Sequence, residues 1–203
     1  MAEGVLTKTP LRSFLRAAGG NLTMLQIAAY QGIGWVSKAI KLLTYSKYSH
    51  IGILFTEDMD VEVDGKVHCI KAGNVIEAWQ GGVRLAESVS TNHTKGTMVD
   101  IFKLKTPMRP EQSRRIASFL VGQIGKKYDY WNVARFIPVV RLFMPKPAPS
   151  IWTRSHVFCS ELALEAFSDG GIQLLERCLY HEVPPRDVPR SPLLMTDRTV
   201  KTV

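Results

Sequence analysis

Cysteine is scarce in this chain: Cys69, Cys159 and Cys178 are the three in 203 residues, an odd number with no CxxC pair. A disulfide framework and a zinc ribbon are thereby excluded as organising elements, and a reducing compartment is the simpler expectation. Missing too is a secretory start, because Met1-Ala2-Glu3-Gly4 lacks the basic and then apolar pattern of a leader; a cytoplasmic location is expected. No basic run exceeds a pair, Arg114-Arg115 or Lys126-Lys127, and no nucleic-acid module is present. The formal net charge of +8 is therefore read without nucleic acid as partner, and favours an anionic partner such as phospholipid headgroups at a membrane surface or an acidic polymer, between which charge alone does not choose. Long hydrophobic runs are lacking as well. Residues 17–37 carry no charge, but Asn21, Gln26, Gln31, Ser37 and four glycines dilute them too far to span a bilayer. There are no repeats and no low-complexity tracts.

What is present is an ordinary globular composition, 45% hydrophobic, in a length that suits one domain over residues 1–203. Leu11, Phe14 and Leu15 at helical spacing, before Gly19-Gly20, predict a short N-terminal helix. A second helix is expected from Trp35 to Leu43, with Val36, Ile40 and Leu43 on one side. Ser49–Thr56 reads as a buried strand, and residues 61–69, around Asp64-Gly65, as a tight hairpin. Val75–Trp79, Val83–Val89 and Met98–Leu104 continue as strands of an antiparallel meander. Pro110 opens a helix whose Ile116, Phe119, Leu120 and Ile124 form an apolar stripe. Helix is expected again from Tyr128 to Ile137 and from Cys159 to Ser168, the second ended by Gly170-Gly171. Pro145, Pro147 and Pro149 enforce a loop, and the four prolines of residues 184–203 predict an extended C-terminal tail. Strands in the first half with helices around them indicate an α+β domain.

Three residues carry the chemistry. Cys159 stands where an apolar approach gives way to an amphipathic helix. In a first helical turn, unpaired N–H groups and the helix dipole favour the thiolate and can cradle an oxyanion. Position alone also fits a small core residue. His50 begins a strand and can hold its ring rigidly toward a cleft, or be a structural histidine. Glu77 interrupts a core strand; if that strand pairs antiparallel with Ile51–Thr56, its carboxylate comes close to His50 and can fix the imidazole tautomer. Alternation equally permits a solvated face. Together they make a nucleophile, a base and an orienting acid.

The strings Tyr48-Ser49-His50-Ile51-Gly52-Ile53, Val75-Ile76-Glu77-Ala78 and Phe158-Cys159-Ser160-Glu161-Leu162 resemble the YiiX-like branch of the NlpC-type cysteine peptidases. The likeness takes in Gly81-Gly82-Val83 and Tyr128–Tyr130, and spans most of residues 30–170. It implies a circularly permuted papain-like fold, in which histidine precedes cysteine, with Cys159 as nucleophile, His50 as base and Glu77 as orienter. The family's Gly-Asp pair has no counterpart here around Gly20-Asn21 or Gln31-Gly32. The related lecithin–retinol acyltransferase-like enzymes place a second histidine where this chain offers Glu77; His68 is the lesser candidate for that role, and His156 another possible partner of Cys159. His93 and His181 fall in loop-like contexts and read as solvated. The spacing of His156 and Cys159 has no second ligand pair, so no metal and no cofactor is expected. The expected function is a cysteine-dependent hydrolase or acyltransferase acting on a peptide amide of cell-wall type or an acyl lipid, for which the apolar residues 136–145 could wall a groove. The alternative is a catalytically silent binding module on the same scaffold.

Overall fold

A computed structural model of the chain describes residues 24–129, 156–176 and 178–203. It is a mixed α and β structure built on an antiparallel sheet. The expected N-terminal helix, the loop at Pro145–Pro149 and residues 136–145 lie outside the described residues.

The central strand is β1 (Leu25–Gln31), paired on one side with β2 (His50–Phe55) and on the other with β7 (Met98–Leu104). Helix α1 (Trp35–Leu43) links β1 to β2. Beyond β2 come β5 (Val75–Trp79) and β6 (Gly82–Ala86); beyond β7 comes β10 (Leu194–Lys201). A strand buried on both faces admits few polar residues, which accounts for the charge-free sequence around residues 24–31; its buried Gln26 is bonded to Asp197.

Alternation assigns the two faces. Ile27, Ala29, Ile51, Ile53, Phe55, Ile76 and Ala78 point into the larger core. Helix α2 (Pro110–Gln123) and helix α3 (Cys159–Asp169) also bury residues in that core, and the two helices pack on each other. Their contact is close at the end of α3, where a Cβ on Gly170 would come within 2.5 Å of Ile116 Cγ1. On the opposite face Ala28, Tyr30, Leu54, Val75, Val99 and Ile101 form a smaller cluster.

The hairpin of β3 (Met59–Val63) and β4 (Lys66–Ile70) turns on Asp64 and Gly65, both at positive φ, as the sequence predicts. Other elements differ from expectation. The strand after the acid strand ends at Ala86 rather than Val89. The sheet is not a meander, because β7 crosses to pair with β1. Tyr128, where the sequence predicts a helix to begin, lies instead in a short strand, β8 (Lys127–Tyr128), parallel to β9 (His156–Val157), and residues 130–137 of that expected helix lie outside the described residues. The proline-rich end does not stay an extended tail. Two single-turn 3₁₀ helices, Tyr180–Glu182 and Val188–Arg190, lie on either side of Pro184-Pro185, the second holding Pro189, and β10 then joins the sheet edge beside β7.

One polar knot fixes the approach to β2. Asp100 on β7 accepts from Tyr48 Oη at 2.7 Å, from Gln31 Nε2 at 3.1 Å and from Thr199 Oγ1 at 2.7 Å, and pairs with Lys47 Nζ at 2.8 Å. Burial works against its charge, but Lys47, Thr199 and Tyr48 outweigh it and hold the carboxyl at about 2.

Candidate functional site

The register of β2 and β5 decides where the acid lies. Gly52 faces Glu77 across the pair, so Glu77 shares a sheet face with His50, and the expected antiparallel approach of the two is observed. Glycine at 52 makes the space. A Cβ there would lie 2.7 Å from Val75 Cγ1 and 3.5 Å from both Glu77 Cβ and Tyr30 Cε2.

Glu77 is the hub. Its Oε2 lies 2.8 Å from His50 Nε2 and 3.1 Å from His93 Nε2; its Oε1 accepts from Arg84 Nη2 at 2.8 Å and Nε at 3.2 Å. Arg84 is its direct cross-strand partner on β6. Glu77 is 1% exposed, and burial alone would raise its pKa. The hydrogen bonds and charges of His50 and His93 more than reverse that, holding the carboxyl well below the usual range. An ionised carboxylate only accepts, so both imidazoles donate Nε2–H to it.

His50 is buried against Tyr30 and Trp79, with ring centroids 5.3 and 4.9 Å away. Burial disfavours its charged form. The Cys159 sulfur, by charge and hydrogen bond, and then Glu77 overcome this and raise the ring to about 9. With Nε2 given to Glu77, Nδ1 is the nitrogen left for the sulfur.

Cys159 is the first residue of α3 and is 2% exposed. Phe158, ahead of it, has no side-chain acceptor for a cap. Glu161 supplies the cap in reverse, its Oε2 accepting from Phe158 N–H at 3.4 Å. Burial, then the charge of Glu165, push Glu161 up to about 8, so at neutral pH it is uncharged and sets no anion two residues from the sulfur.

The structure thus joins the sequence-derived residues His50 and Glu77 by a hydrogen bond of 2.8 Å, and the Cys159 sulfur is close enough to act on the His50 ring. It does not bring in His68, which lies on the exposed strand β4. His93 corrects the sequence reading: far from solvated, its side chain is 4% exposed and stacked on Tyr30 at 3.9 Å and 12°. Burial first, with His50 and Arg84 adding to it against Glu77, lowers its pKa. The β6–β7 connection that carries it is a string of local turns, with Ser88 O accepting from Thr91 N and Ser90 O from His93 N. A polar run of that kind has no periodicity to betray a buried histidine.

Among the described residues, His50, Glu77 and His93 are also a group able to hold a metal ion, their ligand atoms all within 4.8 Å of one another. Two imidazoles and one carboxylate are a donor set that divalent first-row cations accept. Arg84 fixes the far carboxylate oxygen, as an outer-shell partner does. Beside them the buried Tyr30 hydroxyl has no hydrogen-bond partner among the described residues. The residues fit a cation.

Against known proteins, no protein-family model and no curated protein matches the chain. The fold has a solved counterpart. It is similar to the crystal structure of the metalloprotein YiiX from Escherichia coli O157:H7 (DUF1105), with a TM-score of 0.55 and 18% identity over 88% of this chain and 98% of that one. At that identity the likeness is one of fold. Among the described residues no helix is long and apolar enough to cross a membrane.

Proposed function

We propose that the protein is a cysteine-dependent hydrolase or acyltransferase acting on an amide or ester carbonyl, with Cys159 as nucleophile, His50 as base and Glu77 as orienter. The observation that carries this reading is that His50 is hydrogen-bonded to the Glu77 carboxylate at 2.8 Å, while the nearby Cys159 sulfur raises its pKa. The chain order of His50, Glu77 and Cys159, with the cysteine opening a helix that packs on β2 and β5, accords with a circularly permuted papain-like arrangement.

In this mechanism the Cys159 thiol gives its proton to His50 and the sulfur attacks the carbonyl carbon. The N–H groups of the first turn of α3 face the developing oxyanion. Collapse expels the amine or alcohol, which takes the proton back from His50, and leaves a thioester on Cys159. Water or a second acceptor then attacks the thioester, losing its proton to His50, and the thiol is restored. Glu77, held by Arg84, keeps the ring in one tautomer and stabilises its charged form.

The test is competitive alkylation with iodoacetamide. Cys159 should react faster than Cys69 and Cys178, although Cys69 is exposed and Cys159 buried. Asp60 raises the Cys69 thiol and burial raises Cys178, which leaves both poorer nucleophiles. His50→Ala should slow Cys159 by about 100-fold or more, the usual scale of acid–base assistance. Equal sluggishness at all three cysteines would reduce the domain to a silent binding module.

A second reading has its own observation, the fit of His50, Glu77 and His93 to a cation, and the structural neighbour is described as a metalloprotein. A divalent cation bound there would supply Lewis acidity toward a carbonyl or a water of low pKa. An imidazole that ligates a cation cannot also take up the thiol proton, so the two readings exclude each other at His50. Zinc-dependent hydrolysis that survives Cys159→Ser would favour the metal.

A further inference from the structure

Helix α1 has an apolar side that the core does not use. Trp35, Ala39 and Leu42 recur at helical spacing and face outward, Trp35 83% and Leu42 74% exposed. Tyr45, just past the helix, is 83% exposed and sits at φ +49°, a left-handed conformation that a tyrosine seldom takes. The turn is closed by Ser46 N–H on Lys41 O and Tyr45 N–H on Leu42 O, which leaves that ring outside. Large apolar side chains grouped this way mark a contact surface.

Along this stretch of chain the charge has one sign. Lys38 and Lys41 lie on α1, and between Glu3 and Glu57 the chain has no Asp or Glu at all, while Lys47 after the helix is held by Asp100. Tryptophan and tyrosine at the two ends of a short basic helix are the residues that settle at headgroup level, with leucine reaching the acyl boundary. Nine residues are too short to span, at about 13 Å. We propose that α1 and Tyr45 form an interfacial anchor that docks on a bilayer bearing anionic headgroups.

The anchor adjoins the site. Ile33, just before α1, packs near Gly96, and Gly34 lies near Thr94, the residue after His93. Docking therefore brings the His93 connection to the membrane face, where an acyl lipid would be presented. The docking itself does not depend on the chemistry at Cys159.

Co-sedimentation with phosphatidylcholine vesicles, with and without phosphatidylglycerol, tests it. Binding is expected only to the phosphatidylglycerol vesicles and should weaken as salt rises. Trp35→Ala with Leu42→Ser should lower it at least about tenfold, and Lys38→Gln with Lys41→Gln should erase the lipid preference. Alkylation of Cys159 should be unchanged in both, which reports that the variants fold and separates this surface from the catalytic reading. Absence of binding to anionic vesicles, or binding indifferent to both variants, overturns the proposal. So does a dimer seen by light scattering that the Trp35 and Leu42 changes abolish, since the occupant is then a second copy.

Discussion

Cys159→Ser should move the titration of a residue it does not alter. His50 stands at about 9 against an ordinary 6.5, a difference of 2.5. This favours the imidazolium by on the order of 3 kcal/mol. That preference is net of burial, which acts in the opposite direction and is the largest single influence on the ring. Serine nearly preserves the shape but does not ionise, so only Glu77 is left to oppose burial, and the ring should titrate toward or below 6.5. Heteronuclear NMR of the imidazole nitrogens, followed across pH, reads this directly. The linkage has a definite sign. A folded-state pKa above the unfolded one gives stability that is full below 6.5 and declines as pH rises through about 9. Urea unfolding of the wild type should lose stability over that window, and the serine variant should lose little. A wild-type midpoint near 6.5, or one that Cys159→Ser leaves in place, would refute the coupling between sulfur and ring.

Other expectations rest on separate features. Glu161→Gln should stabilise the fold increasingly as pH rises: a buried carboxyl raised from 4.5 to about 8 costs on the order of 3 kcal/mol at pH 7, and thermal unfolding at acid and alkaline pH would show no gain if Glu161 were solvated. Gly52→Ala should cost about 1–3 kcal/mol by overpacking against Val75, measured by urea unfolding; a neutral result would mean the sheet face is looser than its contacts imply. Asp100→Ala should cost about 1–3 kcal/mol by stranding the Tyr48 hydroxyl, and should also slow alkylation of Cys159, because the chain entering His50 loses its anchor.

The sequence is informative where local chemistry and periodicity agree. The turn at Asp64-Gly65, the helix opened by Pro110 and the helix opened by Cys159 each have a start or stop that one residue type imposes, and they lie where expected. Glu77 was legible because a lone carboxylate in an apolar strand asks for a partner. The central strand β1 was hidden by its own success: fully buried on both faces, it has no alternation and resembles a diluted membrane segment. β10 was hidden by the prolines that precede it, although from Leu194 to Lys201 none remains. His93 depends on a loop folding back over the sheet, a tertiary event that no neighbouring residue announces.

The two halves of the site are built differently. His50, Glu77, Arg84 and His93 come from one short span of chain and are tied to each other by hydrogen bonds across adjoining strands. The sulfur arrives on a separate helix, seated on that sheet by apolar packing. One side is thus a rigid fixture and the other an adjustable carriage. Substitutions among Ile51, Ile76, Leu162 and Ala166, none of them chemically active, should shift the sulfur against the ring and detune catalysis while the protein still melts as a cooperative unit.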